Sequence, residues 1–502
     1  MSLRSKVVKS SVVNVIDQFV KLLAVFFITP LMVSQLGDTR YGLWILIGTF
    51  FSYYRFLDVG ISSSAPRFIG KAEGMGNRAE RSLVLSICHR YFIRISIIAA
   101  AITALAMVFI PLFSNDEGNR NVIRWIACAL GVSLSLRFYF QIHRVLLKSE
   151  MRYDLIVLAS TIRVCIQSVL IYWLLSNNQG LVAIAIAQAG CDIFESFLCL
   201  LFARRVCPNP SLRGKTWDPK KSREILRYSM IYFGASSGKL LMGRIDPFLV
   251  GGLVGVTMVP IYSIGTRLLT IFNDLINALF GSHFMVALSQ VEGRNGLDYY
   301  RERILEATRL CAILTTFIGG SLAIFSGPFL TRWVGPQFSD SYSVLLILII
   351  PYVCFLAQYS GFSGLYALSK HRFIMITMWS GALGNLILSL IFGIYFGFFG
   401  IVWATFIEMT LLYCVIYPWG ISRATAIPIR KYYSAIIFPI LKTAFPLAAF
   451  YLLFKDWIKP EYGSLIFFAT LECGIAGVWV WFALFTRSQQ KAIRQAIGKI
   501  SF

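Results

Sequence analysis

The sequence predicts an all-α polytopic membrane protein with about fourteen transmembrane helices. Three observations support this fold class. The chain has 502 residues, of which 57% are hydrophobic and 14% charged, whereas soluble domains carry about 25% charged residues. Its apolar residues form fourteen segments of membrane-spanning length. Its basic residues collect on alternate connections between those segments.

The apolar segments fill most of the chain. A spanning helix needs about 20 residues, so fourteen of them leave short connections and no large extramembrane domain. No small-residue cleavage site follows the first segment, so we expect a retained helix rather than a signal peptide. The predicted segments are 10–35, 41–63, 83–113, 121–146, 152–176, 180–203, 228–254, 257–289, 306–330, 342–368, 373–396, 400–420, 432–454 and 464–486.

The distribution of basic residues predicts the orientation. With the N-terminus in the cytoplasm, 31 of the 47 Lys and Arg residues lie in cytoplasmic connections and tails, and 5 lie in outer ones. Basic residues favour the cytoplasmic side of a membrane. Both termini are therefore predicted to be cytoplasmic, and the net charge of +23 is explained by topology rather than by nucleic-acid binding.

An internal repeat predicts two lobes. PLMVSQLGDTRYGLW (30–44) and PFLVGGLVGVTMVPIY (247–262) each begin with Pro, keep Val at the fourth position and contain a Gly turn. A repeat of six helices has the same orientation in both copies. We therefore expect two six-helix lobes around a central cavity, plus two C-terminal helices. The predicted divisions are an N-lobe with helices 1–6 (1–206), a cytoplasmic linker (207–222), a C-lobe with helices 7–12 (223–421), and helices 13–14 with a cytoplasmic tail (422–502).

A polar stripe lies on the first predicted helix. In NVIDQFVK (14–21), Asn14, Asp17, Gln18 and Lys21 stand at i, i+3, i+4 and i+7, which is one face of a helix. Lys21 is about 15 Å along this helix, near the middle of a bilayer. A charge at that depth costs roughly 3 kcal/mol. We expect the stripe to line a cavity, although Asp17 and Lys21 can also neutralise each other.

Two stretches resemble a known family. SQLGDTRYGLWILIGTFFSYYRFLDVGISSSAPRFIGK (34–71) has its leucine-glycine, tyrosine-glycine and leucine-aspartate-x-glycine pattern. In GRIDPFLVGGLVGVTMVPIYSIGTRLL (243–269) an Asp precedes an apolar run and Tyr-x-x-x-x-Arg follows. These resemble the polysaccharide transporter (Wzx-type flippase) branch of the multidrug/oligosaccharidyl-lipid/polysaccharide exporter superfamily.

The resemblance implies a flippase rather than an enzyme. It would move undecaprenyl-pyrophosphate-linked oligosaccharide repeat units from the cytoplasmic to the periplasmic leaflet of the bacterial inner membrane by alternating access. The units would then enter O-antigen, capsule or exopolysaccharide, and thus lipopolysaccharide where O-antigen is made. Membrane lipids, a polysaccharide polymerase and chain-length machinery are the partners that the resemblance implies. Helices 1, 2, 7 and 8 would line the cavity.

Polar residues in those helices, and Glu408 in the twelfth predicted segment, are the candidate site. Five basic residues are predicted to bind the diphosphate: Lys21, Arg55, Lys239, Arg244 and Arg267. Four amides are predicted to contact sugar hydroxyls or water: Asn14, Gln18, Asn273 and Asn277. Five carboxylates are predicted to balance charge or couple transport to H⁺ or Na⁺: Asp17, Asp58, Asp246, Asp274 and Glu408. No cofactor or metal is expected, because the ten cysteines form no CxxC pair and the four histidines are scattered.

Alternative functions remain open. A peptidoglycan-precursor (lipid II) flippase or a multidrug exporter of the same superfamily would share the fold. A membrane-embedded polysaccharide polymerase or ligase is less well supported, because such enzymes need a large outer loop or clustered outer carboxylates. The predicted outer connections here are short.

Overall fold

The structure, a computed structural model, describes residues 3–109, 117–207, 217–242, 245–280, 282–367 and 371–483. These residues form helices and no strand, which confirms the predicted all-α class. The α-helices are α1 (Leu3–Ser52), α2 (Ile61–Gly74), α3 (Arg78–Phe109), α4 (Glu117–Ser149), α5 (Tyr153–Ser176), α6 (Leu181–Val206), α7 (Pro219–Met242), α8 (Asp246–Leu249), α9 (Met258–Phe280), α10 (Ser282–Trp333), α11 (Ser339–Ala357), α12 (Tyr359–Ala367), α13 (His371–Leu411), α14 (Tyr417–Thr425), α15 (Ile429–Phe454) and α16 (Tyr462–Ala483).

Twelve of the fourteen predicted membrane segments lie on long apolar helices. Within the described ranges, ten helical stretches are long and apolar enough to cross a membrane. Two of them, Ile16–Glu73 and Arg372–Thr425, have 58 and 54 residues and each contain two predicted segments. A left-handed glycine breaks each stretch, Gly37 at φ 71° and Gly397 at φ 64°. The seventh and eighth predicted segments lie on α7–α8 and α9, which are not among the ten. The chain is a multi-pass membrane protein, as predicted.

The chain forms two compact units, Met1–Leu240 (unit 1) and Leu241–Phe502 (unit 2). In unit 1, α4 packs against α3 and α6, and α1 packs against α5. In unit 2, α10 packs against α11, α12 and α15, and α9 packs against α11. Each unit therefore has its own apolar core. The lobe boundaries given by the sequence remain a prediction.

The first half of α7, which belongs to unit 1, packs closely against the start of α2. Gly60 precedes α2 with φ 76°, and a Cβ there would lie 2.6 Å from the carbonyl oxygen of Ser229 on α7. The hydroxyl oxygens of Ser64 and Ser229 are 2.5 Å apart. The absence of a side chain at Gly60 therefore allows the two backbones to approach each other closely. At the start of α7, the hydrogen bond that Lys221 donates to Glu80 raises the pKa of the Lys221 amine.

We predict that Gly60→Ala destabilises the protein. A left-handed non-glycine residue costs about 1–2 kcal/mol, and the clash with Ser229 adds to that cost. Gly70→Ala is the matched control, because Gly70 is helical and a Cβ there meets nothing within 4 Å. Thermal unfolding of the detergent-solubilised protein should show a lower midpoint for Gly60→Ala only. Equal midpoints for the two variants would contradict the close-approach argument.

Candidate functional site

A polar face runs along α9 in unit 2. Arg267, Thr270, Asn273, Asp274 and Asn277 recur every three or four residues, so they share one side of the helix. All except the half-buried Asn273 are exposed. Hydrocarbon cannot solvate a row of charges and amides. Because α9 packs against the apolar helix α11, which is long enough to span a membrane, its polar face requires water or a polar ligand.

Two features of this face bear on binding. Within the described part of the chain, Arg267 forms no ion pair. At the other end of the face, the hydroxyl of Tyr359 donates to Oδ1 of Asn277. Tyr359 begins α12, directly after the break that follows α11. The face therefore combines an available guanidinium, amides and an aromatic hydroxyl.

The stripe on α1 is partly neutralised. Lys21 Nζ lies 2.6 Å from Asp17 Oδ2, and Thr161 on α5 donates to Asp17 Oδ1 at 2.9 Å. Asp17 is buried, Lys21 is half-buried and Gln18 is exposed. The structure therefore shows the charge-balancing contact that the i, i+4 spacing allows. Asn14 belongs to the same stripe, but its side chain lies outside the described residues.

The remaining basic candidates of the sequence are not brought together by the described residues. Arg55 is exposed on the short 3₁₀ turn between α1 and α2. Asp58 accepts hydrogen bonds from the backbone N–H and the hydroxyl of Ser62, at 3.2 and 2.8 Å, at the start of α2. Arg244 and the side chain of Lys239 lie outside the described residues. Asp58 therefore stabilises the beginning of a helix, which the sequence analysis did not predict.

A second polar cluster surrounds Asp246 in the interior of unit 2. Asp246 is 5% exposed, and its Oδ2 accepts hydrogen bonds from the hydroxyls of Tyr262 at 2.5 Å and Thr405 at 3.3 Å. Asn385 Nδ2 donates to Thr405 Oγ1 at 3.0 Å. Glu408, also 5% exposed, is near enough to Asp246 for their charges to interact. We call these five residues the Asp246 cluster.

Several oxygens in and beside the Asp246 cluster have no donor in the described part of the chain. Asp246 Oδ1, Asn385 Oδ1, both carboxylate oxygens of Glu408 and the nearby Ser389 Oγ on α13 are buried and form no hydrogen bond with the described residues. Such atoms usually have a partner. Carboxylate, amide and hydroxyl oxygens suit a proton or a hard cation. No group of three His, Cys, Asp or Glu residues suited to a metal occurs in the described ranges.

Unit 1 contains a buried ionic network that the sequence analysis missed. Arg144 Nη2 on α4 lies 2.6 Å from Glu195 Oε1 on α6. Arg163 on α5 lies 3.3 Å from both Asp192 and Glu195. Arg137 adds a further positive charge on α4, near the same carboxylates. The sequence signal was the pair Asp192 and Glu195 at i, i+3 in an apolar helix. Arg144, one of the 31 basic residues that the sequence predicts on the cytoplasmic side, lies inside α4.

The cluster in unit 2 also contains residues that the sequence analysis did not select. Asp246 and Glu408 were predicted, whereas Tyr262, Asn385 and Thr405 were not. A weak signal was present, because Thr405 precedes Glu408 by three residues in an apolar helix. Ser389 likewise follows Asn385 by four residues. Polar pairs with that spacing mark one buried face of each helix.

These features define a class of protein: a polytopic membrane protein with polar and charged groups along and between its spanning helices, which is typical of a transporter. Residues 73–343, more than half of the chain, match the family described as polysaccharide biosynthesis protein, and the chain belongs to this family. It is similar to EpsK, an uncharacterised membrane protein of Bacillus subtilis (strain 168), with 22% identity over 438 residues that cover 84% of this chain and 85% of EpsK.

Solved structures show the same fold. The lipid II flippase MurJ in an inward closed conformation matches with a TM-score of 0.71 and 15% identity, over 94% of this chain and 97% of MurJ. An inward-facing multidrug resistance MATE family transporter of the MOP superfamily matches with a TM-score of 0.67 and 16% identity, over 82% of this chain and 96% of that chain. The family match confirms the predicted polysaccharide biosynthesis family, and the solved structures show the predicted all-α transporter fold.

We predict that Glu195→Gln destabilises unit 1. The change leaves Arg144 and Arg163 with less negative charge inside a low-dielectric region, and breaking a buried ion pair costs about 3–5 kcal/mol. Glu306→Gln is the control, because Glu306 pairs with Arg303 at 2.7 Å on an exposed surface, where a pair contributes about 1 kcal/mol or less. Thermal unfolding should separate the two variants. A wild-type midpoint for Glu195→Gln would show that the network is not needed for stability.

Proposed function

We propose that this protein is a flippase that moves undecaprenyl-pyrophosphate-linked oligosaccharide repeat units from the cytoplasmic to the periplasmic leaflet by alternating access. The observation that carries the proposal is the polar face of α9 with its available guanidinium. Membership in the polysaccharide biosynthesis family supports the glycan cargo. The excess of basic residues on one side supports the bacterial inner membrane with both termini cytoplasmic.

The chemistry of the cargo matches the polar face. A diphosphate binds best to fixed cations through charge-assisted hydrogen bonds, and Arg267 supplies one. Sugar hydroxyls need amides and hydroxyls, which Asn273, Asn277 and Tyr359 supply. The polyprenyl tail needs no protein site, because it stays in the bilayer while the headgroup crosses.

The stripe on α1 has the same proposed role in unit 1. Lys21 would bind the diphosphate when an incoming anion competes with Asp17, and Gln18 and Asn14 would contact sugar or water. Asp17 then remains as the counter-charge, supported by Thr161. Arg55, Lys239 and Arg244 complete the proposed set of cations.

The Asp246 cluster is the proposed coupling site. Net transport in one direction needs an energy source, and the buried oxygens of Asp246 and Glu408 can take up H⁺ or Na⁺. A buried carboxylate without a donor is costly when ionised, so cation binding stabilises one state of the cluster over another. Asp274 and Asp58 remain secondary candidates for this role.

The alternative cargoes differ in charge. MurJ is a lipid II flippase, and the similar MATE protein is a multidrug resistance transporter. An available guanidinium on α9 favours an anionic lipid-linked cargo over a cationic drug. A polysaccharide polymerase and chain-length machinery would act on the transported unit and are the proposed partners.

We predict that Arg267→Ala and Lys21→Ala lower the rate of translocation. The assay is transfer of an undecaprenyl-pyrophosphate-linked oligosaccharide across the bilayer of proteoliposomes that contain equal amounts of folded protein. Losing one charge-assisted hydrogen bond should slow transport by roughly tenfold or more. Lys21→Arg should keep partial activity, because it retains the charge. The control is Arg303→Ala, an exposed cation paired with Glu306.

The outcomes separate the functions. Transport by wild type and Arg303→Ala, with loss in the two test variants, supports the proposal. Equal transport by all variants would contradict the proposed role of Arg267 and Lys21 and would leave the proposed cargo supported. Translocation of lipid II or export of a cationic dye, without transport of the oligosaccharide, would favour the corresponding alternative.

We predict that Asp246→Asn uncouples transport from an ion gradient. An imposed pH or Na⁺ gradient should accelerate the wild type and leave Asp246→Asn unaffected, because the neutral amide cannot exchange a proton and binds cations weakly. Asp456→Asn is the control on an exposed turn. A response of Asp246→Asn equal to that of the wild type would exclude this carboxylate as the coupling group.

A further inference from the structure

The helix that carries Glu408 changes its winding one turn later. Residues Leu412–Ile416, between α13 and α14, form a π-helical turn with i→i+5 hydrogen bonds. Exposed side chains around it recur every fourth residue, at Trp403, Ile407, Leu411, Val415 and Trp419. An α-helix with 3.6 residues per turn would rotate such a row off its face. The additional residue of the π turn keeps the row facing outward.

One backbone N–H decides between the two windings. In the structure, the N–H of Tyr417 donates to the carbonyl of Leu412, which is the π arrangement. In an α-helix the same N–H would donate to the carbonyl of Tyr413, four residues before it. The π arrangement would offer Tyr413 the N–H of residue 418, but Pro418 has none. In the π turn the Tyr413 carbonyl therefore receives no N–H from residue 417 or 418.

A side chain in the turn between α11 and α12 donates a hydrogen bond to the Tyr413 carbonyl. Gln358, 1% exposed between α11 and α12, donates from Nε2 to the Tyr413 carbonyl at 2.6 Å. Its second N–H donates to the Cys354 carbonyl on α11 at 2.9 Å. A buried carbonyl without a donor is unfavourable. The amide of Gln358 therefore stabilises the π turn. In the α arrangement, the Tyr413 carbonyl would already accept a hydrogen bond from the N–H of Tyr417.

The winding determines where Glu408 points. Tyr417 and Ile421, after the turn, are fully buried in the apolar core of unit 2, so that part of the chain is anchored. If the π turn changed to α winding with the same sequence, the helix before the turn would rotate by one residue position, about 100°. Glu408 would then take the present direction of Ile407, which is exposed.

We propose that Gln358 is a positioning residue for Glu408. By donating to the Tyr413 carbonyl, it keeps the π turn and so keeps the Glu408 carboxylate facing Asp246. The importance of this contact for transport rests on the proposed coupling role of the Asp246 cluster. The position of Glu408 does not, so the two ideas are tested separately.

The test is chemical labelling of Glu408 in Gln358→Leu. Dicyclohexylcarbodiimide is a hydrophobic reagent that couples to protonated carboxyl groups reached from the membrane. Its rate of reaction at Glu408, measured by peptide mass spectrometry at fixed pH in liposomes, should rise about fivefold, the factor supplied by one hydrogen bond of ordinary strength. Glu472, a buried carboxylate hydrogen-bonded to Ser321 at 2.9 Å, is the internal reference and should not change.

Rescue by a retained side-chain donor distinguishes positioning from general damage. In Gln358→His, the ring Nε2–H reaches about as far as the glutamine amide and can donate to the Tyr413 carbonyl, so labelling should stay near the wild-type rate. Gln337→Leu is the matched control, because Gln337 Nε2 donates to the Val334 carbonyl directly after α10.

Each result decides the proposal. Fast labelling in Gln358→Leu with near-wild-type labelling in Gln358→His supports it. Wild-type labelling in folded Gln358→Leu, or equally fast labelling in both variants, overturns it. If Gln358→Leu does not fold, Gln358→Met, which keeps the length of the side chain without the donor, takes its place in the same comparison. Absence of transport by the wild type would count against the proposed function and leave these labelling results intact.

Discussion

The cost of an unbalanced charge inside a bilayer governs where this chain keeps its polar side chains. A spanning helix tolerates a charge only with a partner, with water or with a bound ion. The structure contains three kinds of charged group on different helices. Arg144 is paired with Glu195 in unit 1, Arg267 is exposed on a polar face of α9, and Asp246 and Glu408 are buried with several oxygens that have no hydrogen-bond partner among the described residues. Each situation has a different use: the first stabilises, the second suits a ligand, and the third suits a cation.

The same constraint acts on the backbone. A carbonyl that loses its helical donor inside the membrane must find another, since no water is available there. Pro418 removes one donor near the π turn, and the amide of Gln358 replaces it from a neighbouring helix. The next carbonyl, of Cys414, accepts from the hydroxyl of Tyr433 on α15 at 2.7 Å. Irregular winding beside a buried carboxylate is thus supported by side chains that the apolar pattern of the sequence does not distinguish from ordinary packing residues.

The sequence was sufficient to locate most of the helices and insufficient to identify the side-chain contacts between them. Apolar runs are local, so the segments on the ten long apolar stretches could be located, including those joined by a single left-handed glycine, such as Gly37. One partner of Asp17 is Thr161 and one partner of Asp246 is Thr405, which lie 144 and 159 residues away along the chain. No local period reports such contacts. Arg144 shows a further limit, because hydropathy cannot tell a basic residue at the end of a helix from one that enters the helix to meet a buried carboxylate.

The difference between the two units has a consequence for the proposed mechanism. An ion can drive a conformational change only if it binds one state more tightly than the other. A closed network such as Arg163 with Asp192 and Glu195 already satisfies its charges, so a cation gains little there. The carboxylates of Asp246 and Glu408 have no cationic partner among the described residues, so a bound cation changes their free energy strongly. The change is large only while both face the same interior. A one-residue change in winding would separate them, which is why the hydrogen bond from Gln358, though it touches neither carboxylate, bears on whether unit 2 can bind an ion at all.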